Sequence, residues 1–203
     1  MFMFNPAPPT VMHIDLNSCF ATIEQQANPF LRGKPVVVGA YTTPGGCILA
    51  ASVEAKRMGV ATGMRVGEGK ALCPGLIVLP SDPEKYRFIN RRLLALLSEY
   101  TADISVRSID EMVMRMNPES GIMNHARKRL PKPIIHNSTF PIQEVESVML
   151  EIAKEIKMRI KTEIGEWLTI SIGIATNSYL AKTAAGLHKP DGLDVLTGEN
   201  IDA

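Results

Sequence analysis

Two short, strand-like runs in this chain carry carboxylates where a buried strand tolerates none. The first is "TVMHID" (10–15), apolar apart from His13 until Asp15. The second is "ISVRSIDEMVMRM" (104–116), which alternates like a strand until Asp110 and Glu111 interrupt it. Adjacent residues on a strand face opposite sides of the sheet. Two consecutive acids therefore put one carboxylate on the core side, or the strand ends there. An unpaired buried carboxylate is very costly, and a divalent cation removes that cost by pairing the charge. If the two runs are neighbouring strands, Asp15 and Asp110 meet at one sheet edge with Glu111 beside them. Three carboxylates so placed form the oxygen-rich ligand set that suits Mg²⁺. Two such ions activate an attacking hydroxyl and stabilise a leaving pyrophosphate. The same acids also fit solvated strand ends, or partners for Arg107 and Arg115. A short acidic match does not by itself separate these readings.

The rest of the chain supplies the scaffold. "SCFATIEQQAN" has helical spacing closed by Asn28-Pro29, and "KPVVVGAY" reads as a β-branched strand. The turn "TPGG" (43–46) leads into "CILAAS", and "SVEAKRMGV" reads as a helix stopped by Gly59. "GEGKALCPG" predicts a short helix and "LIVLP" a strand. "DPEKYRFINRRLLALLSEYTA" predicts a long amphipathic helix capped by Asp82. The segment 117–140, with its basic run "HARKRLPKP", has no clear period. Next come a second long helix, "PIQEVESVMLEIAKEIKMRIKTEIG", and a strand, "WLTISIGIA". A final helix over "SYLAKTAAGLHKPDG" stops at Pro190. This order predicts an α+β fold, with helices on one face of a mostly antiparallel sheet. A small α/β lobe, about 19–80, is inserted after the first strand.

Bulk properties narrow the function classes. At 203 residues the chain can bury a core without disulfide staples. Its net charge of +1 confines any nucleic-acid contact to local patches. Cys19, Cys47 and Cys73 form no CxxC or Cys/His cluster, which argues against a zinc site and fits a reducing compartment. "MFMFNPAPPT" (1–10) is broken by prolines and reads as a loose tail rather than a signal peptide. No apolar run approaches membrane-spanning length, so a cytoplasmic, membrane-free protein is expected. Motifs for P-loop, dinucleotide, nucleophile-elbow and HExxH chemistry are absent. Lys56 and Lys189 are candidate phosphate contacts, each also readable as a surface lysine. The turn Asn17-Ser18-Cys19 opens a helix beside Asp15, and helix N-termini attract phosphate.

Several stretches, in order, carry one resemblance. They are "HIDLNSCFATIE", "NPFLRGKPVVVG", "SVEAKRMGV", "RSIDE" and "SIGIATNSYLAKTAAGLHKPDG". Together they resemble the Y-family translesion DNA polymerases of the UmuC/DinB/ImpB type, from about Val11 to Gly192. Lys56 within "EAK", and Asn17 in the D-x-N spacing, look more like the UmuC branch than the DinB branch. The resemblance implies a palm (11–18 and 81–192) with inserted fingers (19–80). It implies that Asp15, Asp110, Glu111 and the main-chain carbonyl of Leu16 hold two Mg²⁺ ions, with Asp110 and Glu111 catalytic. Asn17, Ser18, Cys19, Lys56 and Lys189 would bind a deoxynucleoside triphosphate (dNTP). Phe20 would be the steric gate that excludes a ribose 2′-OH. Lys182 matches a lysine on the last helix, and Ser108 belongs to the acidic motif. Many members carry Tyr and Arg where this chain has Val53 and Lys56, and an acid where it has Arg115. The family continues into a thumb and a little finger, whereas this sequence stops at Ala203. Those parts are expected to be largely absent, with 193–203 the start of the connection to the thumb. The implied function is DNA-directed DNA polymerisation in damage tolerance and repair. The implied partners are primer-template DNA, dNTP and, through C-terminal regions, a sliding clamp or other polymerase subunit. On this reading the chain alone extends primers feebly or not at all. A different reading of the same residues is a non-catalytic remnant that binds nucleotide or a partner protein.

Overall fold

A computed structural model of the chain describes residues 7–116, 142–198 and 200. The region 117–140, including the basic run, lies outside the described residues. So do residues 1–6 of the expected tail. Residues 7–10 carry no regular element, yet the Thr10 carbonyl accepts a hydrogen bond from Met116 N.

The main sheet has five strands in the order β5-β6-β1-β7-β8. Its centre is β1 (Val11–Leu16), flanked by β6 (Glu111–Arg115) and β7 (Ile170–Ala175), both antiparallel to it. The outer strands are β5 (Ile104–Val106) and β8 (Leu193–Leu196), the latter parallel to β7. Sequence reading assigned no element to β8. Its four residues are all half-buried, so the apolar signal is weak, and pairing with β7 decides its state.

Side-chain alternation on β1 sorts the chain into two layers. Met12, Ile14 and Leu16 face the large core together with Met112, Met114, Ile170, Ile172 and Ile174. Two long helices cover that face, α4 (Pro83–Leu97) and α5 (Ile142–Arg159). Asp82 caps α4 as expected, its Oδ1 accepting from Lys85 N. The expected single helix to Gly165 changes to a π-helical turn at Ile160–Ile164. The last helix, α6 (Ser178–Leu187), departs from the one-face arrangement. It lies on the opposite face, where Val11, Val113, Ala175 and Ala181 form a smaller cluster. Gly173 makes this possible, since a Cβ there would stand 2.0 Å from the Ala181 carbonyl oxygen. With both faces covered, β1 and β7 read as nearly continuous apolar runs.

The inserted lobe holds a three-stranded sheet, β3-β2-β4, built from β2 (Val36–Gly39), β3 (Ile48–Ala51) and β4 (Ile77–Pro80). Helices α2 (Val53–Arg57) and α3 (Val66–Leu72) pack on it around Val37, Ile48, Ala55, Val60 and Val66. Gly59 has φ +85, the left-handed conformation that ends α2. Helix α1 (Cys19–Ala27) lies at the seam, and its Cys19 and Ile23 join the large core. Among the described residues no helix is long and apolar enough to cross a membrane.

Candidate functional site

The interrupted strand of the sequence reading is a hairpin. Strands β5 and β6 pair antiparallel, and Arg107–Asp110 form the connection between them. Arg107 N and Ser108 N both donate to the Glu111 carbonyl. Asp110 therefore ends the connection and Glu111 begins β6. This placement avoids burying an acid in mid-strand.

Register then brings the acids together. Asp15 at the end of β1 is directly opposite Glu111 on β6 and opposite Ser171 on β7. Leu16 N donates to the Asp110 carbonyl at 2.9 Å, tying the hairpin to β1. Asp15, Leu16 and Asp110 line one cleft of about 570 Å³ with Asn17, Ser18, Cys19, Phe20, Lys56 and Lys189. Arg57 and Thr62, which sequence reasoning missed, line it too.

The cations sit where a metal-binding reading places positive charge. Lys189 Nζ is 2.5 Å from Asp15 Oδ2. Lys182 Nζ spans both Glu111 oxygens at 2.8 and 2.9 Å. The expected alternative partners do not take part in these pairs, and Arg115 pairs instead with Asp103. Burial pushes the Glu111 carboxyl up, but the Lys182 ammonium outweighs it and holds the group below the ordinary carboxylate value. The Asp110 carboxylate accepts from Ser108 Oγ at 2.6 Å, so Ser108 orients it.

The described group with metal-ligating atoms all within 4.8 Å of one another is His13, Asp15 and Glu111. His13 is the member of this group that the sequence reading left out of the site. Its ring is buried with neither nitrogen hydrogen-bonded, and Nε2 stands 3.9 Å from Glu111 Oε2. Burial lowers its pKa and favours the neutral ring. The only available signal was its period-two spacing from Asp15, which puts both on one strand face. The donor chemistry fits a hard divalent cation, since the Asp15 and Glu111 carboxylates meet at one end of the sheet and Asp110 lines the adjoining cleft.

Across the cleft, Lys56 reaches from α2 and donates to Ser18 Oγ at 2.9 Å. Burial and the neighbouring Lys189 lower its pKa, against the pull of Asp15. Two ammonium groups facing one space favour an anion between them. Ser18 has φ 50 and leaves the N-terminus of α1 without a side-chain cap, so that end opens on the cleft.

Two of the expected contacts, Asn17 and Cys19, line the cleft with largely buried side chains. The Asn17 side chain is buried, donating to Ser171 Oγ and accepting from Asp191 N. The Cys19 thiol is buried in the large core, where burial and the nearby Asp110 and Asp15 push its pKa far up. Phe20 is half-buried and stacks on Tyr86, ring centroids 4.3 Å apart. Tyr86 is fixed in turn by a hydrogen bond to Glu24. That support was invisible in sequence, because Tyr86 lies 66 positions along the chain.

Comparison with known proteins agrees with this geometry. Residues 14–186 match the impB/mucB/samB family. A DNA polymerase IV of Bacteroides fragilis is 35% identical over 184 residues, covering 90% of this chain and 43% of the relative. DNA polymerase IV 1 of Bacillus subtilis is 37% identical over 192 residues, covering 94% and 40%. Among solved structures, DinB from Sulfolobus solfataricus matches with a TM-score of 0.74 at 29% identity, covering 93% of this chain and 48% of that one. An insertion ternary complex of Dbh DNA polymerase matches with a TM-score of 0.75 at 29% identity, covering 93% and 49%. These relatives carry DNA polymerase IV, DinB and Dbh names rather than a UmuC name. The chain spans about two-fifths of the length of these curated relatives and about half of the solved chains. By its motifs, its fold and its match over residues 14–186, the chain belongs to the impB/mucB/samB family of Y-family DNA polymerases.

Proposed function

We propose that this chain is the palm and fingers portion of a translesion DNA polymerase, working in the cytoplasm. Its cleft would transfer a nucleotidyl group from dNTP to the 3′-OH of a primer paired with template DNA. The palm would comprise 11–18 and 81–192 and the fingers 19–80, with α1 as their shared seam. One observation carries this reading: Asp15 stands opposite Glu111 across the β1–β6 pair and, with Asp110, lines a cleft that also holds Lys56 and Lys189.

Asp15, Asp110, Glu111 and the Leu16 carbonyl would hold Mg²⁺, as two ions. When bound, the metal lowers the pKa of an attacking hydroxyl and neutralises charge on the leaving pyrophosphate. The chain's own groups do the rest. Lys182 holds Glu111 ionised, and Lys189 pairs with Asp15. Lys56, Lys189 and the open N-terminus of α1 attract the triphosphate. The Phe20 ring, backed by Tyr86, would pack under the sugar.

The test is a dNTP titration with and without Mg²⁺, for the native chain and for Asp110→Ala. Metal-dependent binding that weakens in the variant is expected. Equal binding in every case removes the metal site. Metal-dependent binding with no transfer to a primer-template, even when supplied with the remaining polymerase regions, identifies a nucleotide-binding remnant instead.

A further inference from the structure

Lys157 is the most thoroughly enclosed lysine outside the cleft. It lies on α5 with its side chain only 16% exposed. Its ammonium donates to three main-chain carbonyls, those of Ile170 at 3.1 Å, Asp191 at 2.5 Å and Gly192 at 3.1 Å. Asp191 Oδ1 stands 2.8 Å away, off the hydrogen-bond line. An ammonium has three donors, so all of them are engaged. Removing a cation from water is costly unless it is fully partnered. Here the partners belong mainly to one short loop, 188–192, which joins α6 to β8.

The same loop is gripped from its other side. Asp191 N donates to Asn17 Oδ1 at 2.7 Å, and Gly192 N donates to Ser171 Oγ at 3.3 Å. Asn17 and Ser171 are both buried, and Asn17 Nδ2 donates to Ser171 Oγ at 2.9 Å. Lys161 adds a second ion pair to Asp191. The loop that these groups fix carries Lys189, whose ammonium sits on Asp15.

We propose that Lys157, Asn17 and Ser171 are positioning residues that latch the 188–192 loop and so place Lys189 over the metal-binding acids before a nucleotide arrives. The functional half of this claim rests on Lys189 being a triphosphate contact. The latch itself does not. Long side chains lose rotamer freedom on binding, and a loop fixed in advance lowers that cost for Lys189.

The experiment uses the full chain and two readouts. The first is amide hydrogen exchange at Asp191 and Gly192. The second is dNTP affinity in Mg²⁺, for Lys157→Met, Ser171→Ala, Lys189→Ala and the double variant Lys157→Met/Lys189→Ala. Ser171→Ala removes a single oxygen and carries the test if Lys157→Met does not fold. The expected result is roughly tenfold faster exchange at both amides, with α6 amides unchanged. Affinity should fall roughly tenfold in Lys157→Met, and the double variant should bind no more weakly than Lys189→Ala, because the two act through one group. Unchanged loop exchange in the folded variants overturns the latch. Faster exchange with native affinity, while Lys189→Ala weakens binding, overturns the positioning role. If Lys189→Ala itself binds as the native chain does, the phosphate-site reading fails, and loop exchange alone then decides the latch.

Discussion

Phe20 shows how one ring serves two ends. It stacks nearly parallel on Tyr86, at an interplanar angle of 12°, and also lines the cleft. A wholly buried Phe would unfold the chain when removed, whereas this ring is half-buried. Phe20→Ala should therefore lower unfolding free energy by only about 1–2 kcal/mol, the loss of one stacked contact and part of its apolar area. Denaturant melts measure this directly. On the proposed function the same variant loses its preference for deoxy- over ribonucleoside triphosphate, read as the ratio of their dissociation constants in Mg²⁺. A ratio that stays native in a folded variant removes the gate assignment.

At the level of elements, the contact between α6 and β7 controls where the cations stand. Gly173 faces α6, and any Cβ there would meet the Ala181 oxygen at 2.0 Å and Ala185 N at 2.2 Å. Both obstacles are main chain, so the helix itself must move. Gly173→Ala should cost about 3 kcal/mol of stability, the upper range for overpacking, and should separate Lys182 from Glu111. Urea unfolding tests the first point. A cost below about 0.5 kcal/mol would show that α6 is not held against the strand.

The loop after α6 also responds to pH. Burial pushes the Asp191 carboxyl up, but its ion pairs with Lys157 and Lys161 outweigh burial and hold it below the ordinary aspartate value of 3.8. A depressed carboxylate contributes stability above its unfolded value and loses it as pH falls through the folded one. The stability gap between the native chain and Asp191→Asn should therefore be constant above pH 3.8 and shrink below it. A gap independent of pH down to acid unfolding would show that the ion pairs do not hold the loop.

Over the whole molecule, the cleft exists because two lobes meet at α1. Gln25 bolts that seam. Its Nε2 donates to the Leu31 and Lys34 carbonyls and to Glu54, while its Oε1 accepts from Trp167 Nε1 in the large lobe. Arg32 reinforces the seam, pairing with Glu166 and lying over the Trp167 ring. Gln25→Leu leaves several half-buried polar groups without this partner and should cost about 1–3 kcal/mol. Hydrogen exchange should then rise first in the three-stranded sheet. Uniform acceleration across both sheets would show that the lobes open as one unit.

Read alone, the sequence determined what depends on near neighbours. Apolar period, Asp82 as a cap and Gly59 as a stop placed nearly every described helix and strand. Co-linear motifs led to the family and to Asp15, Asp110, Glu111, Lys56 and Lys189 as the residues to watch. Tertiary structure decided what depends on partners far along the chain. Asp15 meets Glu111 through strand register, and Lys182 meets Glu111 because Gly173 lets α6 settle on that face. The Asn17 side chain is held by Ser171 and Asp191 N, which lie far along the chain. His13 joins the acids because α6 covers its face of β1 and its period-two spacing places it beside Asp15. Spacing reports which face a residue takes, but only packing shows what waits on that face.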